Sequence, residues 1–419
     1  MPLLFQLLLD VKMVDIPNLR HLRAFIYIAD SGSISKASEL VFLSQPALTQ
    51  AIAKLENAVK ATLFERRSDG MHLTSLGMIF NKRVSRAINI LDDELTKILN
   101  IKTGSSKKSK PSNYINTVTI TQLRALLAVA ENKSYSAAGR SIGVSQSSLY
   151  RASKELEASL DVVLFEKTSL GISISKVGLG LLKATKLAFK EIQQGLEEIS
   201  SEQLAGAGRI VIGSMPLART CLLPETINDF SYINDDFNIK VVEGDYSDLL
   251  YHLRNGEIEV LIGALRFPPP AVDIRQETLF DSSNNIIVRT DHPLTQVDDL
   301  TMDILAEQSW VVPGEHTPAR RMFNEFFSDT ESYPQKLIET SSQILVREIL
   351  LGSNKLAILS KHQVQRELNE GKFTILDFPS FSHSRPIGLT FRQNWHATEL
   401  QKSFISLLRD KGLALSVLS

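Results

Sequence analysis

Cysteine is almost absent from this 419-residue chain: Cys221 stands alone. One thiol excludes an internal disulfide framework and a multi-cysteine zinc site, and it suits a reducing compartment. Long apolar runs are missing too. Leu3–Leu9 is the most apolar stretch of the first residues, and it is far shorter than the ~20 residues that span a bilayer. It lacks a basic leader and a clear cleavage site, so residues 1–17 read as a dispensable extension, with Met13 an alternative start. A cytoplasmic protein without membrane contact is expected. No P-loop, no G-x-G-x-x-G after a strand, no H-E-x-x-H and no G-x-S-x-G occurs. The eight histidines are scattered and form no metal-ligand spacing. Neither a catalytic constellation nor a cofactor or metal is indicated, which points away from an enzyme.

Net charge is also small, at −1, but it is unevenly spread. Residues 1–207 hold 26 Lys and Arg against 19 Asp and Glu, and residues 208–419 hold 20 against 28. A basic half joined to an acidic half suggests a polyanionic partner for the first.

What is present is a repeat. Residues 22–77 recur at 123–178 with a constant offset of 101 and no gap, and 19 of the 56 aligned residues are identical. A repeat of this length is one small folding unit present twice. In the first copy Leu22, Phe25, Ile26 and Ala29 have helical spacing. Gly32-Ser33 ends that helix, and a second runs from about Ser35. Ser44 suits an N-cap and Pro46 a first helical turn, because proline lacks an N–H that would be unpaired there anyway. A third helix then runs to about Val59, with Leu48, Ile52 and Leu55 inward. Two short helices about a tight turn, the second polar on its outer face, make a helix-turn-helix pattern. Gln45, Thr49, Gln50 and Lys54 occupy that face, where they can reach base edges and phosphates. Arg66 and Arg67 lie in a predicted two-stranded wing.

The second copy keeps the frame but changes the outer face. Ser145 takes the cap, and Gln146, Ser147, Ser148, Tyr150, Arg151 and Lys154 follow; Lys167 and Thr168 replace the wing arginines. Two readers of different preference fit this, as does one reader with a structural relic. A three-helix unit that merely packs is the bland alternative.

The unit resembles the winged helix-turn-helix of LysR-type transcriptional regulators. The matching residues are Leu22-Arg23, Phe25, Ala37, Ser44-Gln45-Pro46-Ala47-Leu48, Leu55-Glu56, Leu63-Phe64-Glu65-Arg66, Leu73-Thr74 and Gly77. The second copy departs at Ser147 and Lys167.

Each copy continues into a helix with an apolar stripe too wide to face water alone. In the first, about Ser75 to Ile101, the stripe is Phe80, Val84, Ala87, Ile88, Leu91, Leu95 and Ile98. In the second, about Lys176 to Leu204, it is Leu181, Ala188, Phe189, Ile192, Leu196 and Ile199. The resemblance implies antiparallel pairing of this helix with that of another subunit. Here a polar, basic linker, residues 102–118, joins the two helices; its 17 residues reach roughly 55 Å when extended. Pairing within the chain is therefore expected, with pairing between chains the alternative. The domains become 18–101, 119–205 and 208–419.

Beyond Gly206-Ala207-Gly208, read as a hinge, short strands alternate with helices: Arg209–Gly213, Ile239–Glu243 and Glu259–Gly263, a crossing at Asn285–Arg289, then Trp310–Pro313, Lys336–Glu339 and Ala357–Leu359, and a return through Ile387–Arg392. Such alternation implies parallel sheets. Two α/β lobes joined by two crossings, 208–287 with 384–410 and 288–383, describe a periplasmic-binding-protein-like fold. Family resemblance continues through Leu223-Pro224, Glu243-Gly244, Leu249-Leu250, Gly256-Glu257, Asp291-His292-Pro293-Leu294 and Arg385-Pro386-Ile387-Gly388.

Ligands of open α/β sheets lie beyond the strands' carboxyl ends. That rule nominates Ser214, Arg219, Thr220, Asp245, Ser247, Ala264 and Arg266, then Gly314, His316, Thr317 and Ser341, each of which is otherwise an ordinary cap or solvated charge. Cys221 reads as a small buried filler, or less readily as a reactive thiol. The whole suggests a regulator that binds double-stranded DNA and senses a small polar or anionic effector. It would work as a dimeric or tetrameric homo-oligomer, with RNA polymerase a further candidate partner. An architectural DNA binder, or an enzyme fused to a DNA-binding module, are the other classes.

Overall fold

The computed structural model describes residues 16–41, 43–103, 118–169, 171–203, 208–315, 317–328, 332–378 and 384–417. Most of the N-terminal extension and of the basic linker, residues 204–207 and His316 lie outside them. The chain divides into two compact units that part at Gly208 and Arg209, apart from residues 255–257, which cluster with the first.

In the first unit α1 (Leu19–Ser31), α2 (Ile34–Val41) and α3 (Gln45–Val59) precede β1 (Phe64–Arg67), β2 (Gly70–Leu73) and the long α4 (Ser75–Thr103). The second copy follows as α5 (Ile120–Asn132), α6 (Tyr135–Ile142), α7 (Gln146–Leu160), β3 (Phe165–Thr168), β4 (Gly171–Ile174) and α8 (Lys176–Gln203). The repetition holds at the level of single hydrogen bonds. Glu56 Oε1 accepts from the Leu63 and Phe64 amides at 2.7 and 3.2 Å. Glu157 Oε1 accepts from Leu164 and Phe165 at 2.8 and 3.1 Å. In each copy one carboxylate ties the third helix to the first strand of the wing, and charge-assisted bonds to buried amides are stronger than neutral ones.

The long helices α4 and α8 pack antiparallel within this chain. The stripe residues of α4 are all buried, and in α8 only Phe189 and Leu196 are half-buried. Both copies thereby share one hydrophobic core.

The second unit holds β5 (Gly208–Ser214), α9 (Leu223–Ile233), β6 (Phe237–Glu243), α10 (Tyr246–Arg254), β7 (Val260–Ala264), β8 (Ile274–Arg289), β9 (Ser309–Val312), α11 (Pro318–Phe326), β10 (Lys336–Glu339), α12 (Gln343–Leu351), β11 (Lys355–Ser360), β12 (Phe373–Leu376), β13 (Ser384–Arg392) and α13 (Glu399–Val417). The strand order is β10-β9-β11-β8-β13-β7-β5-β6, with β12 also on β8. Pairing is parallel for β5 with β7, and for β9 with β10 and β11. The long β8 runs antiparallel to its neighbours and changes them midway: it pairs β13 through Ser283 and β11 from Asn284. It starts well before the expected Asn285. Its middle carries Asp281, Ser282, Ser283 and Asn284, which read as turn formers, yet β13 and β11 hold them in extended pairs.

Candidate DNA-binding and effector sites

In the first head Ser44 caps α3, its Oγ accepting from the Ala47 amide at 3.4 Å, and Pro46 lies in the first turn. Leu48, Ala51, Ile52, Leu55 and Val59 are buried, which leaves Ser44, Gln45, Pro46, Thr49, Gln50 and Lys54 together on one exposed face. Gln45 Nε2 donates to Ser35 Oγ at 3.1 Å and Thr49 Oγ1 to Gln45 O at 2.9 Å, so two of these side chains are pre-positioned. On the wing Arg66 and Arg67 are exposed; Arg67 pairs with Glu65 at 3.0 Å.

The second head repeats the scaffold with other chemistry. Ser145 Oγ accepts from the Ser148 amide at 3.1 Å and lies 2.8 Å from Ser148 Oγ. Gln146, Tyr150, Arg151, Lys154 and Lys167 are exposed. Tyr150 packs edge-on against Tyr135, with ring centroids 5.2 Å apart. Arg151 pairs with Glu155 at 3.4 Å and Lys154 with Glu157 at 2.7 Å. The offset of 101 sets Tyr150 at the place of Thr49, Arg151 at that of Gln50 and Glu155 at that of Lys54. Charge is thus reversed at one outward position.

In the second unit the nominated residues fall into two groups, one at the carboxyl ends of β5, β6 and β7 and one at those of β9 and β10. Ser214 is buried, its Oγ donating to Met215 O at 3.2 Å. Arg219 is ion-paired with Glu243, and Thr220 Oγ1 donates to Leu217 O at 2.8 Å, so both serve the local fold. Asp245 and Ser247 are exposed at the start of α10. Arg266 stacks its guanidinium 3.6 Å over the Tyr246 ring. Ala264, half-buried, ends β7. Thr317 caps α11, accepting from the Arg320 amide at 3.1 Å and donating to Gly314 O at 2.8 Å. Ser341 is exposed, and its neighbour Ser342 is the residue that caps α12. His316 lies outside the described residues.

Sequence reasoning passed over the residues where β8 changes neighbours. Ser282 Oγ lies 2.6 Å from Ser360 Oγ, and His362 Nδ1 lies 3.4 and 3.3 Å from the two hydroxyls. Arg385 stands opposite Ser282 in the β13–β8 register. Leu265 N donates to Pro386 O at 2.9 Å, which makes Arg266 and Arg385 cross-strand neighbours. The Nε of Arg385 is buried without a hydrogen-bond partner, and burial alone pulls its pKa down. Tyr246 Oη is likewise buried and unpaired. In the sequence Arg385 stands only within the motif Arg385-Pro386-Ile387-Gly388, and no local pattern announces a buried, unpaired guanidinium nitrogen. Cys221 is half-buried and its thiol is pushed up to about 12 by burial. Among the described residues no group of His, Cys, Asp or Glu is placed to hold a metal, and no helix is long and apolar enough to cross a membrane.

Two winged helix-turn-helix heads followed by an α/β regulatory domain define a DNA-binding transcriptional regulator. A family model for the bacterial regulatory helix-turn-helix of the lysR family matches residues 19–78 and again 120–179, and the LysR substrate binding domain matches 205–412. The chain belongs to the LysR family of transcriptional regulators. It is 29% identical over 380 residues to the HTH-type transcriptional regulator GalR of Pseudomonas putida, covering 90% of this chain and 93% of that protein. It is 26% identical over 272 residues to the regulator PcaQ of Agrobacterium fabrum, covering 64% and 87%. Solved structures of like fold include ArgP from Mycobacterium tuberculosis (TM-score 0.54, 17% identity, 70% of this chain and 96% of that one). Another is full-length LysG from Corynebacterium glutamicum with bound effector Arg (TM-score 0.52, 15% identity, 72% and 99%).

Proposed function

We propose that α3 enters the major groove of double-stranded DNA, with Gln45, Thr49 and Gln50 toward base edges and Ser44, Lys54, Arg66 and Arg67 toward phosphates. The outer face of α3 carries this reading: six polar or turn-setting side chains are exposed on a helix whose other side is locked into the core. Such a face offers hydrogen-bonding groups to bases and cations to phosphate. In the second head Ser145, Gln146, Ser148, Tyr150, Arg151, Lys154 and Lys167 are the corresponding contacts. Arg66→Ala should weaken binding to all duplexes and lower the slope of log K against log salt by about 1. Gln50→Ala should cost about 1–3 kcal/mol on the preferred site and relax its specificity. Unchanged affinity in both variants removes the first head from DNA.

The effector, in this reading, is a small anion bound where the strands of two periplasmic-binding-protein-like lobes cross. Arg385 supports it, because its buried Nε has no hydrogen-bond partner among the described residues, and a desolvated guanidinium nitrogen is costly until an anion pairs with it. Arg266 adds a second cation, and Ser214, Asp245, Ser247, Thr317 and Ser341 supply polar rims. Arg219, tied to Glu243, contributes least. Binding shifts the equilibrium between lobe arrangements by as much as the effector's affinity differs between them. That shift would reach the DNA through a homo-oligomer, with RNA polymerase as the further partner. Thermal-shift screening of carboxylates against neutral isosteres tests the site. Hits that survive Arg385→Gln would refute the anionic assignment.

A further inference from the structure

The α4–α8 interface is unlike on its two sides, and the repeat offset shows what each like-with-like pairing would face. Arg83 is buried to 3% exposure. Its guanidinium bonds Glu198 at 2.8 and 2.6 Å, Glu191 at 3.1 Å and Gln194 at 3.2 Å. Arg86 holds Glu191 from the other side at 3.1 and 2.9 Å. Both cations come from the first copy and both carboxylates from the second. At the offset of 101, Arg83 corresponds to Ala184, Arg86 to Leu187, Glu191 to Ile90 and Glu198 to Lys97. An α4 paired with another α4 would set Ile90 and Lys97 in the places of the two carboxylates, leaving Asp93, in the place of Gln194, as the acid that faces Arg83. An α8 paired with another α8 would bury Glu191 and Glu198 against Ala184 and Leu187. Buried charges without opposite charges are strongly unfavourable.

Shape repeats the asymmetry. A Cβ at Gly195 would lie 3.0 Å from Arg83 Cβ and 3.2 Å from the Phe80 ring, and one at Gly180 would overlap the Glu94 carboxylate. The first copy carries Glu94 and Ile79 at these two places. Two α4 helices would therefore need a glutamate where even a methyl group is tight. Two α8 helices would set glycine where Glu94 now fills the space. Unpaired buried carboxylates reject the second copy with its own kind, and the tight approach at Gly195 rejects the first copy with its own kind, so first with second is selected.

We propose that the two heads of one chain form an obligate unlike pair, and that this pair recognises a DNA site built of two different half-sites. The second clause rests on the DNA-reading role assigned above to α3 and α7. Unlike readers follow from the outward differences already noted: Thr49 against Tyr150, Gln50 against Arg151, Lys54 against Glu155. A head pair of this kind has no twofold symmetry, and an inverted repeat mirrors only a symmetric reader.

The test uses the full-length chain with Cys221→Ser. Glu94→Cys with Gly180→Cys sets two cysteines face to face across α4 and α8 and leaves Arg83, Arg86, Glu191 and Glu198 in place. Oxidation is expected to give a looped species of single-chain mass; bonds found only between chains would overturn pairing within the chain. Selection of duplexes from a random pool by the otherwise unmodified chain should then recover sites with two unlike halves. Gln50→Ala should relax one half and Arg151→Ala the other. A perfect inverted repeat whose halves both respond to Gln50→Ala alone would overturn the unlike-half claim. Looped species with no salt-sensitive duplex binding would instead sink the DNA-reading role and leave the pairing standing.

Discussion

Replacing Arg83 with alanine should separate the two units thermodynamically. Its side chain is 4% exposed, that of Glu191 9% and that of Glu198 21%. Breaking a buried pair by deleting one member costs about 3–5 kcal/mol. The low end applies here: Arg86 still holds Glu191, and Glu198 keeps some solvent, so about 3 kcal/mol is expected. For a unit of this size about 2–4 °C is lost per kcal/mol, which places the melting shift near 6–12 °C. The two tryptophans, Trp310 and Trp395, both belong to the second unit. Far-UV circular dichroism should therefore show an early helical transition while tryptophan fluorescence keeps its midpoint. Lys97→Ala is the control, because that lysine is 68% exposed beside Glu94, and such pairs contribute about 0.3–0.5 kcal/mol. A loss below about 1 kcal/mol for Arg83→Ala would refute the argument that the triad is buried and paired. Equal shifts of both signals would refute the independence of the units.

Three further outcomes are expected. Burial holds Cys221 near 12, so at pH 8 the folded chain should react with a thiolate-selective reagent about a thousandfold more slowly than the unfolded chain; equal rates would mean an accessible thiol. His362 and His292 are lowered, first by burial. The folded state then binds fewer protons than the unfolded one, so stability that is full above the unfolded value of about 6.5 is lost progressively as pH falls from there through the lowered folded values. The tryptophan transition should move down between pH 7 and 5, and a pH-independent midpoint there would count against buried neutral histidines. Burial pushes the Glu157 carboxyl up, but Lys154 and the Leu164 and Phe165 amides outweigh it and hold it below its ordinary value. Its contribution is therefore full above the ordinary carboxylate range and fades as pH drops through the lowered value. Glu157→Ala should abolish that part of the acid dependence of the helical transition while weakening the second wing; an unchanged acid limb would refute it.

The heads were legible from residue spacing. Leu22, Phe25, Ser44, Leu48 and Leu55 sit at helical or cap positions, and helix periods and caps are local properties of a chain. The outer face of α3 followed at once, because what the core does not take must point outward. The long stripes announced a mate for each helix. Strand β8 was only half legible, since its polar middle is extended only because β13 and β11 pair with it.

Local pattern thus determined two winged helix-turn-helix heads and an α/β half. Tertiary structure decided the rest. It set α8 as the mate of α4 in one chain, because Glu191, Glu198 and Gly195 acquire meaning only opposite Arg83 and Arg86. It also left the Nε of Arg385 buried and, among the described residues, unpaired at the crossing strands. Whether a charge is paired depends on residues about a hundred positions away, and no window along a chain contains them.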